Sequence, residues 1–323
     1  MDIKKVGEMV EGYRVMAELG RGAASIIYLV QEPKSKQVWA LKHVAKESPK
    51  DQRFLDQTES EYQIASQLDH PRIRKIERLI RIKPSMLSMQ VSELYLVMEM
   101  VDGASLEREP PKTFEEAAGI FEQVADAIAY MNAKGFVHAD MKPNNIVVDN
   151  ELCCKVIDLG QSCKLGTVKG RIQGTPDYIA PEQVHLRPLT EKTDIYNLGA
   201  TMYWVLTHHY VPTALAKGDS LLPSVDDNLI EKATPTTVFN PRVPELFDKL
   251  IMECVEVDPA KRPNSMRDVA NRLNLIRGKL AAEAELRRSG LLPRFEPDQR
   301  KSDSDPEKKN LDVRVLSNPG PAK

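Results

Sequence analysis

The chain has 323 residues, 41% of them hydrophobic and 28% charged, with a formal net charge of −2. This is the length and balance of an ordinary globular protein somewhat larger than one average domain, and it lacks the strongly basic character of a dedicated nucleic-acid binder. Four cysteines, at 153, 154, 163 and 254, are too few for a disulfide framework and lack zinc-site spacing, so free thiols in a reducing compartment are expected.

Residues 1–12 read as an N-terminal extension. The basic residues of MDIKKVGEMVEGYR are followed by no apolar stretch, so no secretory leader is expected, and the location expected is cytoplasmic. Residues 13–19, 26–32 and 37–44 alternate with period 2 and are rich in β-branched and aromatic residues, which predicts three antiparallel strands. A helix over 51–67 follows, then strands near 73–82 and 93–100. The longest apolar run, 94–98, is strand-sized, so no membrane span is expected. Thr113-Phe114-Glu115-Glu116 is a capping box opening a helix that reaches Lys134, with Gly135 as its C-terminal stop. Residues 193–207 form a mostly apolar helix, and helices near 244–256 and 264–288 come after it. The proline-rich stretch 209–243 predicts irregular chain with short helices. Beyond about residue 294 the sequence has too few apolar groups to offset its ordering entropy, which predicts a disordered tail.

The segment His138-Ala139-Asp140-Met141-Lys142-Pro143-Asn144-Asn145 puts a carboxylate, an ammonium and an amide oxygen into one loop. Phosphoryl transfer from ATP needs a group to orient the attacking hydroxyl, a cation near the migrating phosphate and an oxygen ligand for magnesium. Upstream stand Gly20-Arg21-Gly22-Ala23-Ala24-Ser25-Ile26-Ile27 and then Ala40-Leu41-Lys42; downstream stand Asp158-Leu159-Gly160 and Gly174-Thr175-Pro176-Asp177-Tyr178-Ile179-Ala180-Pro181-Glu182. A two-glycine turn between strands is by itself more often a plain hairpin, so the order and spacing of the whole series carry the weight.

Over roughly residues 8–285 this series resembles the eukaryotic-like protein kinases, and is most similar to the bacterial serine/threonine kinases. The resemblance implies an α+β, two-lobed fold. A small lobe over 13–101 would hold a five-stranded antiparallel sheet and one helix, a large and mainly helical lobe would occupy 102–290, and 291–323 would be the disordered tail. It implies ATP and magnesium, or manganese, as cofactors, and Ser/Thr-bearing proteins, including the chain itself, as substrates.

By the same resemblance, Asp140 orients the substrate hydroxyl and Lys142 stabilises charge on the γ-phosphate. Asn145 and Asp158 hold the metal. Gly20, Arg21, Gly22, Ala23, Ala24, Ser25 and Ile27 cover the nucleotide, Ala40 and Val147 line it, and Met98, Glu99 and Met100 form the hinge, with Met98 as gatekeeper. Lys42 pairs with the phosphates and needs a helix carboxylate, for which Glu61 is favoured and Glu59 is the competitor on another helix face. Thr175 closes the peptide site, Glu182 pairs with Arg262, and Asp194 bonds the catalytic-loop backbone.

Three positions depart from the pattern: Ser25 for the third glycine, Leu159 for phenylalanine and Ala139 for arginine. The last implies that no basic centre beside Asp140 awaits an activating phosphate on Ser162 or Thr167, with Lys164, Lys169 and Arg171 as the remaining cations. The other histidines, at 43, 70, 185, 208 and 209, are assigned structural or surface roles; Cys163, just beyond Asp158-Leu159-Gly160, is read as a solvent-facing cysteine with no role, with oxidation sensing as the alternative. Two further readings were weighed: a nucleotide-binding pseudokinase, opposed by intact Lys42, Asp140 and Asp158, and a small-molecule phosphotransferase, opposed by the docking segment 174–182.

Overall fold

Strict alternation makes the central strand. Along β3 (Ser25–Gln31), Ile26, Tyr28 and Val30 are buried between half-buried neighbours, as period-2 side chains on a half-covered sheet should be. The computed structural model describes residues 3–22, 24–84, 90–213, 215, 227 and 230–291; Ala23 and the tail from 292 onward lie outside the described residues.

The sheet comprises β1 (Met9–Val10), β2 (Tyr13–Arg21), β3, β4 (Val38–Ala45), β5 (Ile76–Ile82) and β6 (Glu93–Glu99), in the antiparallel order β1-β2-β3-β4-β6-β5. It therefore has six strands where five were expected. The extra one, β1, comes from the segment read as an extension. Glu11 and Gly12 have φ of 48° and 91°, the doubly positive pair that a two-residue hairpin needs to match strand twist. That turn folds Met9–Val10 back onto Tyr13 and Arg14.

The two faces of β4 have different roles. Leu41 joins Tyr13, Val15, Tyr28 and Val97 in one apolar cluster. Ala40, two strands from the glycine turn, joins Leu96 and Met98 in the main core, and Lys42 shares the parity of Ala40. Across this sheet α1 (Gln52–Ala65) packs against β4, β5 and β6 and buries Leu55, Glu61 and Ile64.

The helical part is built on α2 (Phe114–Ala133) and α4 (Glu191–Thr207). The Thr113 hydroxyl accepts from Glu116 N at 3.1 Å, and Glu116 in turn accepts from Lys112 N at 2.7 Å. Gly135, at φ 87°, ends the helix in the left-handed region. Helix α4 starts two residues before its predicted position because Thr190 caps it through Lys192 N, and nearly all its residues are buried. Short strands not predicted from sequence flank the loop between them: β7 (Ala104–Ser105), β8 (Phe136–Val137), β9 (Ile146–Val148), β10 (Cys154–Val156) and β11 (Cys163–Lys164). They form a three-stranded ribbon, β10-β9-β7, and a pair, β11-β8.

Helices α3 (Pro181–Val184), α5 (Thr236–Phe239), α6 (Glu245–Cys254) and α7 (Met266–Arg288) complete the described chain. As expected for 209–243, its described part holds only a one-turn helix. Residues 1–282 form one unit; the described part of the second, 283–291, carries the last turns of α7. Among the described residues no helix is long and apolar enough to cross a membrane.

Candidate active site

The loop after β8 is held from below by one buried carboxylate. Asp194, in the first turn of α4, accepts from Ala139 N through Oδ1 at 2.9 Å, and from His138 N at 3.0 Å and Asn132 Nδ2 at 2.8 Å through Oδ2. Burial raises its pKa against the opposing pull of His138 and these donors. The bonds hold Ala139 at φ 61°, a left-handed conformation that disfavours a side chain unless its surroundings impose it. The turn reverses the chain so that Asp140 and Lys142 face Thr175.

There the side chains close into a triangle. Asp140 Oδ1 accepts from Thr175 N at 2.9 Å and from Thr175 Oγ1 at 2.8 Å, while Lys142 Nζ donates to Asp140 Oδ2 at 3.1 Å and to Thr175 Oγ1 at 2.9 Å. Asn145 Nδ2 donates to the Asp140 carbonyl at 2.8 Å. This leaves the Asn145 amide oxygen without a hydrogen bond among the described residues. Strands β9 and β10 place Asn145 before one strand and Asp158 after the other, and Ile157 N bonds the Asn145 carbonyl at 3.0 Å. One oxygen of Asp158 accepts from Gly160 N at 2.9 Å. Burial works to raise the Asp158 pKa, yet Lys42, the Gly160 amide, Arg74 and His138 hold it below the ordinary carboxylate value. An ionised carboxylate oxygen and an amide oxygen are the hard donors that magnesium takes, so these residues fit the ion.

Lys42 Nζ lies 2.7 Å from Glu61 Oε2, and the Glu61 side chain is 1% exposed. Burial opposes the ammonium, but Glu61 and Asp158 outweigh it and raise the Lys42 pKa. Glu59 instead pairs with Arg81 at the surface, Nε to Oε1 at 2.9 Å. Two positions along a helix turn the side chain by about 200°, just over half a turn, which puts the two glutamates on opposite faces. Glu61→Gln is therefore expected to lower kcat/KM by about 100-fold or more and Glu59→Gln to leave it within about twofold, measured as initial rates on a protein substrate.

Sheet register aligns the remaining residues that the resemblance assigns to the nucleotide. Gly20 opposes Ile27, Ile27 opposes Lys42, and Ala40 opposes Met98. Gly22 N bonds Ser25 O at 2.8 Å, and a Cβ on Gly22 would stand 2.8 Å from Ser25 Oγ, a hydroxyl that would have to rotate away. Ala24 begins the return into β3, and Arg21 turns away to pair with Glu18, Nε to Oε1 at 2.6 Å. Met98 is fully buried, Met100 packs on the main core, Glu99 pairs with Lys155, and Val147 sits on β9 opposite Lys155. A cavity of about 820 Å³ lies elsewhere, lined by α2, α7 and the β9–β10 turn. No residue named above for the site lines it.

Glu182 and Arg262 form a buried bidentate pair, at 2.8 and 3.1 Å. Gln183, which the sequence reading passed over, joins the same region. Its amide nitrogen donates to the carbonyls of Ala139 at 2.8 Å and Gln173 at 3.1 Å, and its oxygen accepts from Ala180 N and Asn197 Nδ2 at 2.9 Å each. Ser162, one of the two hydroxyls at which no activating phosphate is expected, is 5% exposed, and its hydroxyl donates to the His138 carbonyl at 3.4 Å. The Cys163 thiol is half-buried rather than solvent-facing, and burial raises its pKa against the opposing pull of Lys169 and Thr167, which disfavours the thiolate.

Residues 13–273 match the family model described as protein kinase domain. Serine/threonine-protein kinase PrkC of Bacillus subtilis is 28% identical over 299 residues, which cover 87% of this chain and 44% of that protein. Serine/threonine-protein kinase PknD of Chlamydia pneumoniae is 25% identical over 287 residues, 80% of this chain and 30% of the relative. Serine/threonine-protein kinase PknH of Mycobacterium tuberculosis is 26% identical over 274 residues, 82% of this chain and 42% of the relative. The chain thus spans under half the length of these relatives.

Proposed function

We propose that this chain, which belongs to the protein kinase domain family, is a cytoplasmic ATP- and magnesium-dependent serine/threonine kinase that transfers the γ-phosphate to hydroxyls of protein substrates, its own included. The observation that carries the reading is the Asp140–Lys142–Thr175 triangle, which offers a carboxylate and an ammonium at one point beside a peptide-docking segment. Incubation with labelled ATP, a generic basic protein and a panel of small alcohols tests it. Label on protein serine and threonine is the expected result; label on alcohols alone, or none, sinks it.

In this reading Asp140 accepts a hydrogen bond from the substrate hydroxyl and aims its oxygen at the γ-phosphorus. A carboxylate is a weak base for an alcohol, so orientation is its main contribution and the proton leaves late, as a loose transition state allows. Lys142 stabilises the charge on the phosphoryl group in transit. Lys42, fixed by Glu61, holds the α- and β-phosphates, and the backbone of Gly20, Arg21, Gly22, Ala24 and Ser25 covers them. Asp158 and Asn145 would hold magnesium, which would supply charge neutralisation for the phosphates there. The main-chain groups after Met98 meet the adenine.

Activation by phosphate on the segment is not needed in this reading. Ala139 is 1% exposed and packs with Val137, Leu189 and Cys163 in an apolar cluster, where a guanidinium would be buried without a partner. The segment is tied by backbone bonds instead: Leu165 N to Gly135 O at 2.9 Å, Gly166 N to Leu189 O at 2.8 Å and Leu189 N to Thr167 O at 2.9 Å. Phosphatase-treated enzyme is expected to turn over without a lag, and Thr167→Ala to change the rate by less than about tenfold. A lag that Thr167→Ala abolishes would contradict this.

A further inference from the structure

The carboxamide of Gln183 stands between the two stretches of chain that carry Asp140 and Thr175. Gln183 is the third residue of α3 and is 3% exposed. Its side chain folds back on its own helix, where the oxygen takes the N–H of Ala180 at 2.9 Å, the reach from a third helical position to the cap that satisfies a helix N-terminus. The same oxygen takes Nδ2 of Asn197 on α4 at 2.9 Å, and that nitrogen also donates to the Tyr178 carbonyl at 2.7 Å. Two donors thus fix which end of the amide is oxygen, and the NH₂ end must point the other way.

The NH₂ end meets two backbones. Nε2 donates to the Ala139 carbonyl at 2.8 Å and to the Gln173 carbonyl at 3.1 Å. The first carbonyl belongs to the peptide group that leads into Asp140, the second to the one that leads into Gly174 and on to Thr175. Two carbonyls that share one nitrogen stay within two hydrogen-bond lengths of each other. Gly174 shows how close the approach is: it sits at φ 128°, and a Cβ there would stand 3.0 Å from Nε2. Asp140 and Thr175 also bond each other, but through groups that serve the reaction, and a docking hydroxyl must share the Asp140 carboxylate. The bonds of Gln183 involve no group that meets substrate or nucleotide, so they can persist through the cycle.

Building on the kinase reading, we propose that Gln183 is a positioning residue for phosphoryl transfer: its NH₂ group ties the peptide before Asp140 to the peptide before Gly174, and so keeps Asp140 and Thr175 in register. Ala139 offers only a methyl group and cannot make this link from the loop side. A neutral amide makes it from α3, with no basic centre and no phosphate. Buried and with all four of its hydrogen-bonding positions used, the amide has one arrangement available to it. A displacement of the acceptor carboxylate by a fraction of an ångström is costly in rate, because the hydroxyl must be aimed in line with the phosphorus.

The test compares the full chain with Gln183→Glu, Gln183→Met and Val269→Ala. Gln183→Glu keeps the size and the oxygen that accepts from Ala180 and Asn197, and replaces only the donors with a second oxygen facing two carbonyls. Gln183→Met removes donors and acceptor together and serves where Gln183→Glu does not fold. Val269, fully buried on α7, is the control for stability lost away from these loops. Rates are measured with labelled ATP and a generic basic protein, at a temperature where circular dichroism shows every variant folded. Both Gln183 variants are expected to lose about tenfold or more in kcat while KM for ATP stays within about twofold, since Lys42, Glu61 and Asp158 are untouched. Val269→Ala should melt lower and keep kcat within about twofold. Unchanged kcat in the Gln183 variants, or a loss in Gln183→Met that Gln183→Glu does not share, overturns the positioning role and leaves the kinase reading standing. So does a loss in Val269→Ala equal to theirs. No phosphoryl transfer by the unchanged chain overturns both.

Discussion

Asp140→Asn is expected to reduce phosphoryl transfer by about 100-fold or more while leaving nucleotide affinity within a few-fold. The substitution keeps the shape of the side chain and removes its charge. Asp140 touches Thr175 and Lys142 and lies on the acceptor side, so its loss disturbs the hydroxyl and not the nucleotide. An asparagine can still accept from Thr175 N through its oxygen, which keeps the loop folded. Its amide would point donors at Lys142, where the aspartate offered a negative oxygen, and the lysine would lose its anchor. Initial rates with labelled ATP, beside nucleotide binding by calorimetry, check both halves of the expectation. Retention of more than about a tenth of the rate would mean that Asp140 does not orient the nucleophile.

The motif residues were legible because each depends on a short spacing, and the strands and helices bring those motifs together without rearranging them. Lys42 meets Glu61, and Asp140 meets Lys142 and Thr175, across separations of 19, 2 and 35 residues. The choice between Glu61 and Glu59 rested on counting helix positions, and burial decides it. Helix α2 was legible from its cap and glycine stop, both local signals. The strands of two or three residues were not. Their pairing partners are distant in sequence, and a run such as Ile146–Val148 has no room to display a period. The hairpin at Glu11-Gly12 was missed because glutamate seldom takes a positive φ, which hid the turn signal. Gln183 looks like an ordinary polar residue in sequence. Its surroundings are contributed by other elements, and only the fold shows that it bridges four backbone and side-chain groups. Ala139 was read as a missing charge; the structure adds that an apolar cluster takes its place.

Arg262→Ala is expected to destabilise the fold by about 3–5 kcal/mol, a shift in melting temperature on the order of 6–10 °C for a unit of this size. The guanidinium is fully buried. It gives two hydrogen bonds to Glu182, one to the Glu256 carbonyl at 2.7 Å, one to the Lys192 carbonyl at 2.8 Å and one to the Val257 carbonyl at 3.1 Å. It also stacks over Tyr196 at 4.9 Å. Every donor of the fork is used, so truncation strands a buried carboxylate and three carbonyls together. Arg262→Lys should recover little, because a single ammonium cannot reproduce the planar fork. Glu182→Gln should fall between, since a neutral amide oxygen still accepts while its NH₂ confronts a donor. Because Glu182 ends the segment that carries Thr175, the rate should fall with stability in these variants even at temperatures where they remain folded. Thermal melts of the three variants, with rates measured well below each transition, provide the check. If Arg262→Ala melted within about 2 °C of the unchanged chain, the pair would be a solvated contact and not the clamp that its burial and bonding describe.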